Sequence, residues 1–155
     1  MIRPSESRDT PALVTLAQQT GMFKPVEIVA LKEVLDDYQA GQHPEARCIT
    51  YEKDGAPIGF AYYAPAAMTD RTWQLWWIAV SKHTQARGIG GWLLRHLEED
   101  IRRQNGRQLL IETSSLQHYE PTRKFYLKHN YEQAGFQRDY YADGDDMVIF
   151  RKRLT

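Results

Sequence analysis

Cysteine is almost missing from this chain. Cys48 stands alone in 155 residues, which excludes an internal disulfide and a cysteine-rich zinc site. Its neighbours Ile49 and Tyr51 suggest a small buried hydrophobe, and a reducing compartment fits. An excess of either charge is missing too. Twenty Lys and Arg balance twenty Asp and Glu, so no global field gathers nucleic acid or anionic lipid, and any anion site must be local. No stretch approaches the ~20 apolar residues of a membrane span, and Met1 to Glu6 carries no apolar signal core. The composition therefore predicts a cytoplasmic protein with neither a membrane nor a nucleic acid as partner. The length suits one core, and the expected organisation is one domain over residues 1–155.

The informative stretch is Trp76-Trp77-Ile78-Ala79-Val80-Ser81-Lys82-His83-Thr84-Gln85-Ala86-Arg87-Gly88-Ile89-Gly90-Gly91-Trp92-Leu93-Leu94. Ile78 to Val80 read as a buried strand, whereas Ile89, Leu93, Leu97 and Ile101 recur at the spacing of one helical face. The glycines fall where strand hands over to helix. A helix start leaves amides unpaired and carries the positive end of the dipole, and Gly88, Gly90 and Gly91 lack the Cβ atoms that would hold a ligand off. That chemistry suits a phosphate group. The dinucleotide fingerprint fails, because Leu93 stands where its third glycine belongs, and no Gly-Lys-Ser/Thr follows as a P-loop requires.

Around this stretch the chain alternates between two periods. Asp9 or Thr10 with Pro11 predicts a helix start, with Leu13, Leu16 and Ala17 inward until Gly21. A second helix is expected from Pro25, with Ile28, Leu31, Val34, Leu35 and Tyr38 inward and a stop at Gly41. From Arg47 the period is two. Cys48 to Tyr51 and Ile58 to Tyr63 flank the hairpin signal Asp54-Gly55, and a third strand is expected over Thr72 to Val80. Trp76 and Trp77 are adjacent on that strand, so one should enter the core while the other could line a cleft. The helix after the glycines should run to Gln104, with Glu98/Arg102 and Glu99/Arg103 as a solvated charged face and Asn105-Gly106 as its end. Gln108 to Ser114 reads as a buried strand, and strand, helix, strand implies a parallel right-handed unit. Two closing strands, Glu132–Tyr141 and Asp146–Arg153, complete a mixed sheet.

Gln85-x-x-Gly88-x-Gly90, preceded by Ile-Ala-Val, together with Phe125-Tyr126-x-x-x-Asn130-Tyr131, resembles the GNAT superfamily of acyl-CoA-dependent N-acetyltransferases. Asn130 takes the place of the family's glycine and Tyr131 that of its phenylalanine; asparagine is the next-best residue at a left-handed helix end. Tyr119 and Thr122 replace the asparagine and alanine that usually precede Phe-Tyr. The resemblance implies an α+β fold, a central mixed sheet of about six to seven strands flanked by about four helices. It implies acetyl-CoA as acyl donor, with the backbone of Ile78, Ala79 and Val80 along the pantetheine arm. The amides of Gln85, Ala86, Arg87, Gly88, Ile89, Gly90 and Gly91 would hold the pyrophosphate. Arg87 would add charge to the phosphates, with Arg123, Lys124 and Lys128 as further options for the adenosine end. No metal is expected.

By the same resemblance Tyr126 would protonate the leaving thiolate. An alkylammonium must also lose a proton before it can attack, and with a pKa near ~10.4 this costs about 4–5 kcal/mol at neutral pH. A general base is therefore needed, and Glu112, near the end of its strand, is the first candidate; His83 is the rival. For the acceptor, Asp139, Asp143, Asp145 and Asp146 gather with Tyr140 and Tyr141, a combination that suits a cation. Trp76, Tyr140 and Asp143 are the substrate-side candidates. Met22, Phe23 and Lys24 join them because the segment between the first two helices often roofs the acceptor site in the resembled family. The expected partner is a small-molecule primary amine. A protein lysine or N-terminal acetyltransferase and a non-catalytic acyl-CoA sensor stay open, as does a homodimer.

Overall fold

Each alternation between period two and period 3.6 becomes an element in the computed structural model, which describes residues 1–84 and 87–155. The strands are β1 (Ile2–Pro4), β2 (Arg47–Lys53), β3 (Ala56–Pro65), β4 (Thr72–Val80), β5 (Gln108–Ser114), β6 (Glu132–Ala142) and β7 (Asp145–Arg153). The helices are α1 (Thr10–Gln19), α2 (Pro25–Gln39), α3 (Ile89–Arg103) and α4 (Glu120–Lys128). The sheet has seven strands in the order β1-β2-β3-β4-β5-β7-β6. This is the mixed α+β sheet with four helices that the resemblance implies. By contacts the chain divides into two compact units, Met1–Ala64 with Trp77–Glu99, and Pro65–Trp76 with Asp100–Thr155.

In the first unit the Asp54-Gly55 hairpin forms as expected, with both residues at positive φ, 52° and 78°. Leu13, Leu16 and Ala17 of α1 and Leu31 and Leu35 of α2 cover Cys48, Phe60, Tyr62 and Ala79 of the sheet. Burial pushes the Cys48 thiol up to about 12, which agrees with a structural cysteine. The α1 start differs from expectation: a 3-10 turn, Ser7–Asp9, precedes it, and the Asp9 side chain caps that turn through Glu6 and makes no capping bond to α1 itself. Asp9 instead accepts two bonds from the Arg3 guanidinium, at 2.7 and 2.9 Å, and one from the Glu6 amide at 2.8 Å. The hydrogen-bonded guanidinium holds this carboxyl below its ordinary range. Asp9→Asn should therefore lower stability by about 2 kcal/mol at neutral pH. A lowered native pKa contributes stability above the unfolded value, near ~3.9, and loses it as pH falls through the native one. The gap in urea midpoint between variant and parent should accordingly close in acid, and a pH-independent gap would exclude this origin.

Within this unit β3 runs close beneath α3. A Cβ on Gly59 would stand 3.1 Å from Leu93 Cδ1 and 3.2 Å from Ile89 Cγ2, so the absence of a side chain seats the start of α3 on the sheet. Leu93, Leu94 and Leu97 are fully buried, but so, nearly, is Glu98, at 3% exposure. The expectation of Glu98 on a solvated face thus fails: it follows Leu94 by one helical turn and shares its inward side.

In the second unit β4 and β5 are parallel from Thr72 opposite Gln108 to Leu75 opposite Ile111, as the strand–helix–strand pattern requires. β5 pairs antiparallel with β7 from Gln108/Arg153 to Ser114/Met147, and β6 pairs with β7. α3 ends as predicted, with Asn105 left-handed at φ 61° and the Gly106 amide donating to the Ile101 carbonyl at 2.8 Å. A Cβ on Gly106 would collide with Ile101 and Trp73.

Candidate active site

The predicted phosphate loop lies in the first unit. The Ser81 amide donates to the Ile58 carbonyl at 2.7 Å, which fixes the exit of β4 just beyond Ile78, Ala79 and Val80. Gln85 and Ala86, both expected to hold the pyrophosphate, lie outside the described residues. Gly88 adopts φ 80°, a conformation that side chains with a Cβ resist. The first helical bond runs from the Trp92 amide to the Gly88 carbonyl at 2.9 Å. The amides of Ile89, Gly90 and Gly91 therefore have no acceptor within the helix, and none among the described residues meets them. Ile89 pins this turn by its buried side chain, 3% exposed. Three open donors at the positive end of a helix more than three turns long suit an anionic oxygen cluster. Arg87 is exposed beside them, and so is His83.

Glu112 and Tyr126 belong to the second unit. Glu112 accepts a hydrogen bond from Gln74 Nε2 at 2.9 Å. Gln74 is buried on β4, so the carboxylate is held by a neutral amide, not by an arginine and not by the following Thr-Ser-Ser backbone. Its second oxygen has no hydrogen-bond partner among the described residues. Tyr126 is the more buried of the adjacent aromatics Phe125 and Tyr126, with rings of Phe125, Tyr131 and Phe150 at 5.5, 6.0 and 5.6 Å between centroids. This differs from a tyrosine simply turned outward. Burial drives its phenol well above the ordinary range. The hydroxyl has no hydrogen-bond partner among the described residues, yet none of their fully buried side-chain polar atoms is unpaired. The ring is packed, and the oxygen is the part left open. Asn130 at φ 70° ends α4 in the left-handed conformation, and Tyr131 is buried as the aromatic anchor.

Other expected contributors divide into engaged and open side chains. Arg123 donates to the carbonyls of Ser114 and Leu116 at 2.7 and 2.9 Å, so it ties the β5 exit to α4 and is spent on backbone. Lys124 pairs with Glu120 at 3.2 Å on the surface of α4. Trp77 enters the core side and meets Phe23 at 5.3 Å, while Trp76 on the opposite face is 56% exposed. Met22 is half-buried and Lys24 exposed. At the last hairpin the aspartates mostly serve the backbone. Asp139 accepts from the Gly144 amide, Asp146 from the Asp139 amide, and Asp145 from the Ser114 hydroxyl. Asp143 and the edge-to-face pair Tyr140–Tyr141 remain exposed. Among the described residues no group of three or more His, Cys, Asp or Glu is placed to hold a metal ion.

One side chain escaped sequence reasoning. Trp92 is 56% exposed, and a Cβ on Gly88 would lie 3.9 Å from its Cδ1 and Nε1, so the indole leans back along the glycine loop. The signal was its position one residue before Leu93, off the apolar stripe.

A family model described as an acetyltransferase (GNAT) domain matches residues 44–133. A search of curated proteins finds no match. Among solved structures, a protein of Desulfovibrio desulfuricans assigned as an acetyltransferase of the GNAT family is similar with a TM-score of 0.94 and 30% identity, covering 100% of this chain and 99% of its own. An aminoglycoside 6'-N-acetyltransferase complexed with coenzyme A has a TM-score of 0.80 at 17% identity, with coverages of 100% and 97%. A ribosomal-protein-alanine N-acetyltransferase of Brucella melitensis has a TM-score of 0.81 at 18% identity, with coverages of 99% and 99%. The last two likenesses speak for the fold alone. The domain match over more than half of the chain, on a seven-stranded mixed sheet with open amides at the start of α3, makes this chain a member of the GNAT acetyltransferase family.

Proposed function

We propose that residues 1–155 act as one acyl-CoA N-acyltransferase domain that moves an acetyl group from acetyl-CoA to the primary amine of a small molecule. The observation that carries this reading is the open row of amides at Ile89, Gly90 and Gly91 behind left-handed Gly88, in a chain of this family. Those amides, with Gln85, Ala86 and Arg87, bind the pyrophosphate, and the β4 backbone of Ile78 to Val80 aligns the pantetheine arm. The amine nitrogen attacks the thioester carbonyl carbon directly, the carbon–sulfur bond breaks, and no acyl-enzyme forms. Glu112 takes the proton of the amine, directly or through water. Tyr126 donates a hydrogen bond from its hydroxyl to the departing sulfur as charge develops there, and the released thiolate of coenzyme A takes its proton from solvent. Trp76, Tyr140 and Asp143 face the acceptor, where aromatic rings and a carboxylate favour a cationic amine. Cytoplasmic residence fits a supply of acetyl-CoA, and among the described residues no helix is long and apolar enough to cross a membrane.

The test is a thiol-release screen with acetyl-CoA against polyamines, amino acids, aminoglycosides and short peptides, with products identified by mass spectrometry. Release with a small amine is expected. Release with peptides alone would make the chain a protein acetyltransferase, the activity named for the Brucella melitensis structure; binding without release across the panel would make it a sensor. Gly88→Val serves as the donor control. Valine at φ 80° costs on the order of 1–3 kcal/mol, so acetyl-CoA should bind about five- to 150-fold more weakly if the loop holds it. Wild-type affinity in calorimetry would refute the loop assignment.

A further inference from the structure

The indole of Trp92 is an anomaly on α3. The buried side of this helix is complete without it, through Ile89, Leu93, Leu94, Leu97 and Ile101, yet a tryptophan more than half exposed stands beside the glycine loop. Arg95 lies one turn on, with its guanidinium carbon 4.8 Å from the indole centroid. Arg95 and Arg87 are both exposed, and no carboxylate among the described residues pairs with either. The result is an aromatic plate with uncompensated positive charge on both sides of it along the chain, next to three open amides. A plate of this kind attracts a flat π-system that carries an anion.

We infer that Trp92 and Arg95 form the adenosine 3′-phosphate subsite of the donor: the indole stacks on the adenine ring and Arg95 pairs with the 3′-phosphate. This rests on the reading of Gly88 to Gly91 as the pyrophosphate cradle. Coenzyme A joins its adenosine to that pyrophosphate through the ribose, so the purine must lie within a few bonds of the loop. Trp92 is the exposed aromatic at that distance, since its indole edge borders Gly88. Two of the other cations expected at this end are engaged elsewhere, Arg123 with two carbonyls and Lys124 with Glu120. Stacking needs a ring; charge on the 3′-phosphate needs only Arg95. The two contributions are therefore separable by removing pieces of the ligand.

Calorimetry with coenzyme A, dephospho-coenzyme A and 4′-phosphopantetheine separates them. Trp92→Ala should weaken coenzyme A and dephospho-coenzyme A alike, by about tenfold or more, as expected for the loss of one base–aromatic stack. It should leave the much weaker 4′-phosphopantetheine, which has no adenine, unchanged, and Trp92→Phe should recover most of the loss. Arg95→Gln should weaken coenzyme A several-fold and leave dephospho-coenzyme A as it was. Equal losses for all three ligands in Trp92→Ala would overturn the subsite, since the indole would then only wall the loop, and so would unaltered affinity for coenzyme A. If the parent protein binds none of the three, the donor reading itself fails, an outcome distinct from both.

Discussion

Tyr126→Phe should lower kcat by about 10²–10³-fold at saturating substrates while leaving the affinity for acetyl-CoA within about twofold. The reasoning starts from the phenol. An ordinary phenol, with a pKa near ~10, is a weaker acid than a thiol near ~8.5, and burial makes Tyr126 weaker still. Full proton transfer to a free thiolate would thus run uphill. What the hydroxyl can do is donate a hydrogen bond to charge as it develops on sulfur, in a largely buried setting where no partner among the described residues holds the proton. Phenylalanine keeps the packing against Tyr131 and Phe150 and removes only that donor. Because the phenol stays protonated throughout the working range, Tyr126→Phe should scale the pH–rate profile down without moving its limbs. Unchanged turnover would end the assignment, and a shifted alkaline limb would mean that Tyr126 titrates.

Glu112→Gln carries the second large effect, a fall of about 10²-fold in kcat/KM at neutral pH. Without a base the reaction depends on the small fraction of amine that is already neutral. That fraction rises tenfold per pH unit up to the pKa of the amine, near ~10.4, so the deficit should shrink steadily in alkali. A variant that follows the parent profile at reduced height would show that Glu112 is not the base. Gln74→Leu is a milder probe of the same group, because it removes the amide that orients the carboxylate without removing the carboxylate. A several-fold fall in kcat with KM unchanged is expected there.

Most of the fold was legible because its signals are local. Asp54-Gly55 can hardly do anything but turn, Thr72 to Val80 begins and ends where its apolar run does, and Asn130 takes the left-handed conformation that the family's glycine would take. Where sequence reasoning failed, the deciding partner was distant or the choice was rotational. Spacing gave Glu98 and Arg102 as neighbours but could not say which way that pair faced, and Glu98 is buried. Asp9 was legible as a cap but is claimed by Arg3, six residues earlier and on another element. The aspartates of the last hairpin look like a cation trap in sequence, yet two of them, Asp139 and Asp146, are consumed by backbone amides of their own turn, a use that composition cannot reveal. Trp92 was overlooked because a tryptophan in an amphipathic helix is ordinarily core. Its place off the apolar stripe was the sequence signal, and its exposure gives that signal its meaning.

The burial of Cys48 has a practical side. Reagents that report free thiols react with thiolates, and a thiol pushed up to about 12 behind 1% exposure offers almost none near neutral pH. With no other cysteine in the chain, the native protein should be silent in such an assay. Every equivalent of colour released in the amine screen can then be counted as coenzyme A, and a slow background that grows with enzyme concentration would register unfolding, not turnover.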